Sequence, residues 1–376
     1  MKQKKAFFST NLGIILTGLF IGIVAPTLQK FGNPKNMGIC VACFERDIAG
    51  ALGLHRAGVV QYLRPEIPGF VLGSLIAALV YREFRARGGS APILRFTLGF
   101  FAMIGALAFL GCPWRAWFRL AGGDLNAIVG LIGLFVGIGI GILFLKRGFS
   151  LGRSYKMKPV AGWMMPLIMI ALLLFLIAKP LFGADGTGPI FFSESGPGSL
   201  HAPVLMSLGL TIVFGFLAQR TRFCTVGAMR DIALMKDFHL SYGVIALFVG
   251  ALIMNLIYGQ FKIGWQGQPV SHNNALWNFL GMALSGLAYC LGGGCAGRQL
   301  FLSGEGDTDA GTFVIGMIIG AAFAHNFGLA GSPDKLVEEQ MVIGGISTAG
   351  MIAVVIGLVI CIGIGFLSRD KIESRA

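Results

Sequence analysis

Charge is what this sequence lacks. Asp, Glu, Lys and Arg make up 12% of its 376 residues, where soluble domains carry about 25%, and that deficit excludes an ordinary water-soluble globule. Acidic residues are scarcest, 17 against 30 lysines and arginines. No conspicuously isolated Asp or Glu stands inside an apolar run, so a carboxylate site for a coupling ion is not evident. The pair Cys40 and Cys43 forms a lone CxxC, with no second CxxC and no neighbouring histidine pair to complete a zinc site. The 15 methionines are scattered without a motif, which argues against a copper path. No metal and no cofactor is expected. No small-residue cleavage site follows the apolar run after MKQKK, so that run reads as a retained first helix.

What fills the chain instead is apolar surface, 55% of residues, in runs that approach the ~20 residues needed to cross a bilayer. Spans are expected at 11–28, 67–81, 96–110, 125–145, 162–182, 203–218, 242–258, 276–292, 311–327 and 343–367. The fold class is therefore all-α integral membrane protein, one membrane domain over 1–376 with about ten transmembrane spans. With the N-terminus assigned to the cytoplasm, 20 of the 30 lysines and arginines fall in inside segments, as positively charged loops require. Both termini are then cytoplasmic. The basic loops need no nucleic acid to explain them; their expected partner is the lipid bilayer.

Two motifs occur twice. CVACFERDIA, from Cys40, and CTVGAMRDIA, from Cys224, share the cysteine and Arg-Asp-Ile-Ala. GCPWRAWFRLAGGD, from Gly111, and GCAGRQLFLSGEGD, from Gly294, share Gly, Cys, Arg, Phe, Gly and Asp. Nearly equal offsets point to a tandem duplication: repeat 1 over 11–146, a linking helix at 162–182, repeat 2 over 203–328, and an additional C-terminal span at 343–367. A period of five spans inverts the second copy in the membrane. Each motif reads as a short re-entrant half-helix beginning at its cysteine. Such broken helices survive at membrane depth only when buried in protein or lining a cavity, and their N-termini attract anions. Gly111, Gly293 and Gly294 would allow the tight re-entrant turns.

The seven cysteines divide accordingly. Cys361 and Cys290 read as small apolar filler, whereas Cys40, Cys112, Cys224 and Cys295 recur beside glycine and arginine and read as a substrate path. Arg46 with Asp47 and Arg230 with Asp231 read as structural ion pairs that lock the half-helices. Arg115 and Arg298, three residues after their cysteines, either draw an anion to the thiol or brace the structure. Asp124 and Asp307 read as caps of the following spans. Five cations in the outside segment 29–65, Lys30, Lys35, Arg46, Arg56 and Arg64, form either an anion-collecting vestibule or a solvated rim.

RFCTVGAMRD and GGGCAGR, with their upstream partners, resemble the YeeE/YedE family of membrane proteins, and CVACFERDIAGALGLHR is most similar to its selenium-metabolism-associated YedE branch. The resemblance covers roughly 11–328. It implies an hourglass of two pseudo-symmetric halves that takes up thiosulfate or a related sulfur or selenium species. It also implies a thiol relay of Cys40, Cys112 and Cys295, with Cys224 the fourth symmetry-related thiol. The setting it implies is a prokaryotic cytoplasmic (inner) membrane. Two alternatives stand beside transport: a membrane thiol–disulfide oxidoreductase using Cys40 and Cys43, and a subunit that recruits a cytoplasmic sulfur- or selenium-handling protein to loop 146–159. Pro113-Trp114 beside Cys112, against Ala296-Gly297 beside Cys295, points to an altered pathway. Oligomeric state is open.

Overall fold

The computed structural model describes residues 7–180, 188–337 and 340–369. The lysines of MKQKK, residues 181–182 of the expected linking helix and the basic tail beyond Arg369 lie outside them.

Long apolar stretches become helices because a helix satisfies its own backbone where water is absent. The first six are α1 (Asn11–Lys30), α2 (Val41–Ala51), α3 (Glu66–Val80), α4 (Pro92–Phe109), α5 (Pro113–Ala121) and α6 (Asn126–Lys146). After α7 (Pro159–Ala178) the same succession of lengths returns. It runs α8 (Val204–Thr221), α9 (Thr225–Met235), α10 (His239–Ile257), α11 (Ala275–Gly292), α12 (Ala296–Gly304) and α13 (Thr308–Asn326), and α14 (Thr348–Leu367) closes the chain. Among the described residues nine stretches are long and apolar enough to cross a membrane. At 15 residues α3 falls short of that length. The protein is an all-α, multi-pass membrane protein. Its only strands among the described residues form two small antiparallel ladders, one joining the loops at 87–88 and 155–156 and one pairing 335–337 with 340–342.

Several expected boundaries shift by a few residues, and two of the shifts have a clear local cause. The linking helix ends at Ala178 because Lys179 takes a left-handed conformation at φ 43, and Pro180 then offers no amide to continue the ladder. The last span starts at Thr348, not 343, where the Ser347 hydroxyl accepts from the Gly350 amide at 3.0 Å and caps the helix.

Packing crosses between the two sets of six. α1 lies on α10 and α8 on α3; α6 lies on α11 and α13 on α4; α4 and α11 meet each other. Small residues let these pairs approach closely, as is common between helices in a bilayer. A side chain at Gly18 would meet the backbone of Gly243 at 2.0 Å, and one at Gly137 the backbone of Ala283 at 2.0 Å. The short helices α2, α5 and α12 are largely buried inside this frame, while α9 is buried only over its first turn, Thr225–Ala228.

Candidate functional site: two thiol clusters around a buried indole

Each short helix starts at a cysteine. Cys40, Cys112, Cys224 and Cys295 are the N-cap residues of α2, α5, α9 and α12, all with extended backbone. The Sγ of Cys40 accepts from the Cys43 amide at 3.3 Å, and the Sγ of Cys224 accepts from the Gly227 amide at 3.2 Å. The thiols of Cys112 and Cys295 cap nothing in their own helices and are available to other partners.

The cysteines come together in two clusters. Cys40 and Cys112 place their sulfurs 3.7 Å apart, with Cys43 at 2.9 Å from Cys40. The Cys295 amide donates to the Cys224 sulfur at 3.4 Å. All seven cysteines are free and buried. In each cluster, amides at short-helix N-termini turn their positive ends toward soft sulfur atoms, a setting suited to an anion.

Trp114 separates the clusters. It follows Cys112 by two residues, and its ring lies where a side chain on Gly297, two residues after Cys295, would stand 1.9 Å away. Phe214 lies 5.0 Å, Phe70 5.7 Å, Phe301 5.9 Å and Phe223 6.3 Å from the indole, centroid to centroid. The indole N–H is buried without a partner.

The turns differ from the sequence expectation. The left-handed residues that end α4 and α11 are Leu110 (φ 64) and Gly293 (φ 92); Gly111 and Gly294 are not left-handed. Their missing side chains make room for arginine. A Cβ at Gly111 would meet Arg115 at 2.8 Å, and one at Gly294 would meet Arg298 at 2.7 Å.

The arginines serve different ends. Arg115 is fully buried. It donates to the carbonyls of Leu110, Asn36 and Val270 and reaches the sulfur of Cys43 at 3.2 Å, so it braces three loops and touches a thiol other than Cys112. Arg298 lies 3.7 Å from Glu305, and its Nη1 has no hydrogen-bond partner. Arg46 pairs with Asp47 at 2.6 Å in a fully enclosed setting. Arg230 pairs with Asp231 at 3.1 Å, with Arg230 29% exposed. Asp307 caps α13 through the Ala310 amide at 3.1 Å, while Asp124 accepts from the Asn126 amide at 3.0 Å and pairs with Arg119 at 2.7 Å.

A cavity of about 310 Å³, lined by Arg95, Leu145, Arg230, Cys290, Gly292 and Gly293, opens beside the turn into Cys295. A second, of about 560 Å³, is lined by Lys30, Lys35, Asn36, Gly38, Gly122 and Lys262. Leu145 and Gly122 flank opposite ends of α6, so the two cavities lie at opposite ends of the helical frame. Of the five cations expected at an outer vestibule, only Lys30 and Lys35 line this cavity. Arg46 and Arg64 are consumed by Asp47, and Arg56 lies 4.6 Å over the Phe191 ring.

Three residues escaped the sequence reading. Trp114 was noted only as a departure from its counterpart. Glu45 was not singled out, yet Asp47 takes both Arg46 and Arg64, and neither oxygen of Glu45 has a partner. An isolated acid therefore does exist at depth. Tyr289, beside Cys290, is fully buried and its hydroxyl is also unpartnered; a lone phenol in an otherwise apolar run was the available signal.

Comparison with known proteins points one way. Residues 220–376 match a family described as sulphur transport. A 98-residue stretch is 36% identical to "Thiosulfate transporter TsuA" of Spirochaeta thermophila, covering 26% of this chain and 29% of that protein. The chain thus aligns with less than a third of the relative's length. Both matches are to sulfur-transport proteins, and both agree with the resemblance to the YeeE/YedE family.

Proposed function

We propose that this protein carries a small sulfur-containing anion, thiosulfate or a close selenium or sulfur analogue, inward across a prokaryotic cytoplasmic membrane. The observation that carries the reading is the pairing of the four motif cysteines in two clusters at short-helix N-termini, with one cation-lined cavity bordered by Gly38, near Cys40, and another bordered by Gly293, near Cys295. Cys40 and Cys112 receive the ion from the side of Lys30 and Lys35. Cys295 and Cys224 release it toward the side of Arg95 and Arg230. Thiols and helix N-termini bind weakly and in sequence, which suits passage, because a single tight site would stall release. The exchanged helix pairings support a duplicated, inverted origin of the two halves, and the excess of basic residues in the inside segments supports cytoplasmic termini.

The test is uptake of radiolabelled thiosulfate and selenite into proteoliposomes, wild type beside Cys295→Ser, with empty liposomes as control. Uptake that falls in the variant supports the relay and identifies the substrate class. Equal uptake by both proteins defeats the relay, and none by the wild type defeats transport of these ions.

One observation favours a second reading. The sulfurs of Cys40 and Cys43 lie 2.9 Å apart, close enough for a thiol–disulfide exchange pair. Under that reading Cys43→Ala abolishes activity and the pair cycles between thiol and disulfide, whereas transport leaves both cysteines reduced throughout turnover.

A further inference from the structure

Near the thiol clusters, two buried polar side chains are not used by the relay. Glu45 is on α2, 0% exposed, with no partner for either carboxyl oxygen. Tyr289 is on α11, 0% exposed, with no partner for its hydroxyl. The phenol lies within electrostatic reach of Cys112, Glu45, Cys295 and Cys40, members of both clusters at once. Buried polar groups in native proteins are nearly always hydrogen-bonded, and the exceptions call for a reason. At membrane depth an unpaired acid is a functional group by default.

The surroundings set the chemistry. Arg46, next in the chain, is committed to Asp47. On the helices packed against α2, Glu66 of α3 accepts from Asn33 and Arg95 of α4 lies beside Asp309 of α13. His325 of α13 stacks on His55, and Arg298 of α12 faces Glu305. None of these charged groups pairs with either oxygen of Glu45. With no cation beside it, a carboxylate here would repel a passing anion, whereas a carboxylic acid offers an O–H.

We propose that Glu45, as the neutral acid, and Tyr289 together form a mid-path station that donates hydrogen bonds to the oxygens of a small oxyanion while the flanking thiols contact its soft atom, and that ionisation of Glu45 shuts the path. This inference rests on the transport reading and adds a gate to it. Glu45 has no counterpart in the second half, where Met229 stands, so the station belongs to one side of the molecule only.

The experiment is thiosulfate uptake by proteoliposomes with internal and external pH matched, from about pH 6 to about pH 9, for wild type, Glu45→Gln and Tyr289→Phe. Wild-type uptake is expected to fall toward the alkaline end. Glu45→Gln, which keeps a donor that cannot ionise, is expected to retain uptake and lose that alkaline limb. Tyr289→Phe is expected to raise KM about tenfold with the pH profile kept. A Glu45→Gln protein with the wild-type pH profile, or a Tyr289→Phe protein with unchanged KM, overturns the station while leaving transport intact. Absence of uptake by the wild type at every pH overturns both.

Discussion

Arg64 Nε donates to Asp47 Oδ2 at 2.7 Å, with both side chains wholly buried. The same guanidinium donates to the carbonyls of Leu200 at 2.8 Å and Pro197 at 2.7 Å, while Arg46 takes the other oxygen of Asp47. One carboxylate thus joins α2, the loop after it and the segment before α8. Removing one partner of a buried pair costs about 3–5 kcal/mol, because the other charge is left unpaired.

Asp47→Asn is therefore expected to lower stability by about that amount, leaving two arginines buried without a counter-charge. Asp231→Asn is expected to cost under about 1 kcal/mol, since its pair is partly solvated. Thermal unfolding of both variants in the same detergent checks the ordering. Equal losses would show that enclosure of α2 does not decide the energetics.

Trp114 and Gly297 give a packing prediction. Gly297→Val is expected to destabilise by about 1–3 kcal/mol through overpacking against the indole, and to slow uptake. Trp114→Ala should relieve most of that penalty in the double variant, giving a large interaction energy in a double-mutant cycle. Additive effects would mean that the two residues do not meet.

The thiols give an ordering in transport. Cys112→Ser and Cys295→Ser are each expected to reduce thiosulfate uptake about tenfold, the scale of one lost ligand contact. Cys361→Ser, buried in α14 away from both clusters, should leave uptake unchanged. Initial rates at several substrate concentrations check this, and a loss at Cys361 as large as at Cys295 would contradict the path.

Stability should respond to acid through Glu83. Burial opposes ionisation of this carboxyl, but hydrogen bonds from Arg220 and Gln219 and the nearby charge of Arg222 outweigh it and hold it below the usual carboxylate range. A depressed carboxyl contributes stability that is present above the unfolded value of about 4.3 and lost as pH falls through the lower folded value. Wild type should exceed Glu83→Gln at neutral pH, with the gap closing in acid. Because Glu83 is 34% exposed, the gap should also shrink with added salt. A gap that widens on acidification would reverse the sign of the argument.

The spans and the four cysteine caps were legible in the sequence because each has a strong local signature. Apolar runs of membrane length admit little besides helix, and Gly-Cys-x-x-Arg recurring at one offset marks a structural equivalence. Glu45 was hidden for a physical reason. In the run Glu45-Arg46-Asp47 adjacent charges suggest mutual neutralisation, and only the fold reveals that Arg64, seventeen residues on, completes Asp47 and leaves Glu45 alone. Searching for residues shared by both halves also discards what one half alone possesses, as with Glu45 against Met229 and Cys43 against Gly227. Arg115 stood open between anion contact and bracing because three-residue spacing shows only its position beside Cys112, whereas its hydrogen bonds to the carbonyls of Leu110, Asn36 and Val270 depend on the fold.

The contact between Trp114 and Gly297 constrains how such a molecule can vary. The two residues occupy the same place in their motifs and face one another. Two identical motifs meeting there would set indole against indole and collide, or glycine against glycine and leave a hole. A homodimer of one such half is confined to those two outcomes. A single chain holding both halves is free of that constraint, and here one half fills the space that the other leaves empty. A change at either position must therefore be answered at the other, although 183 residues separate them in sequence.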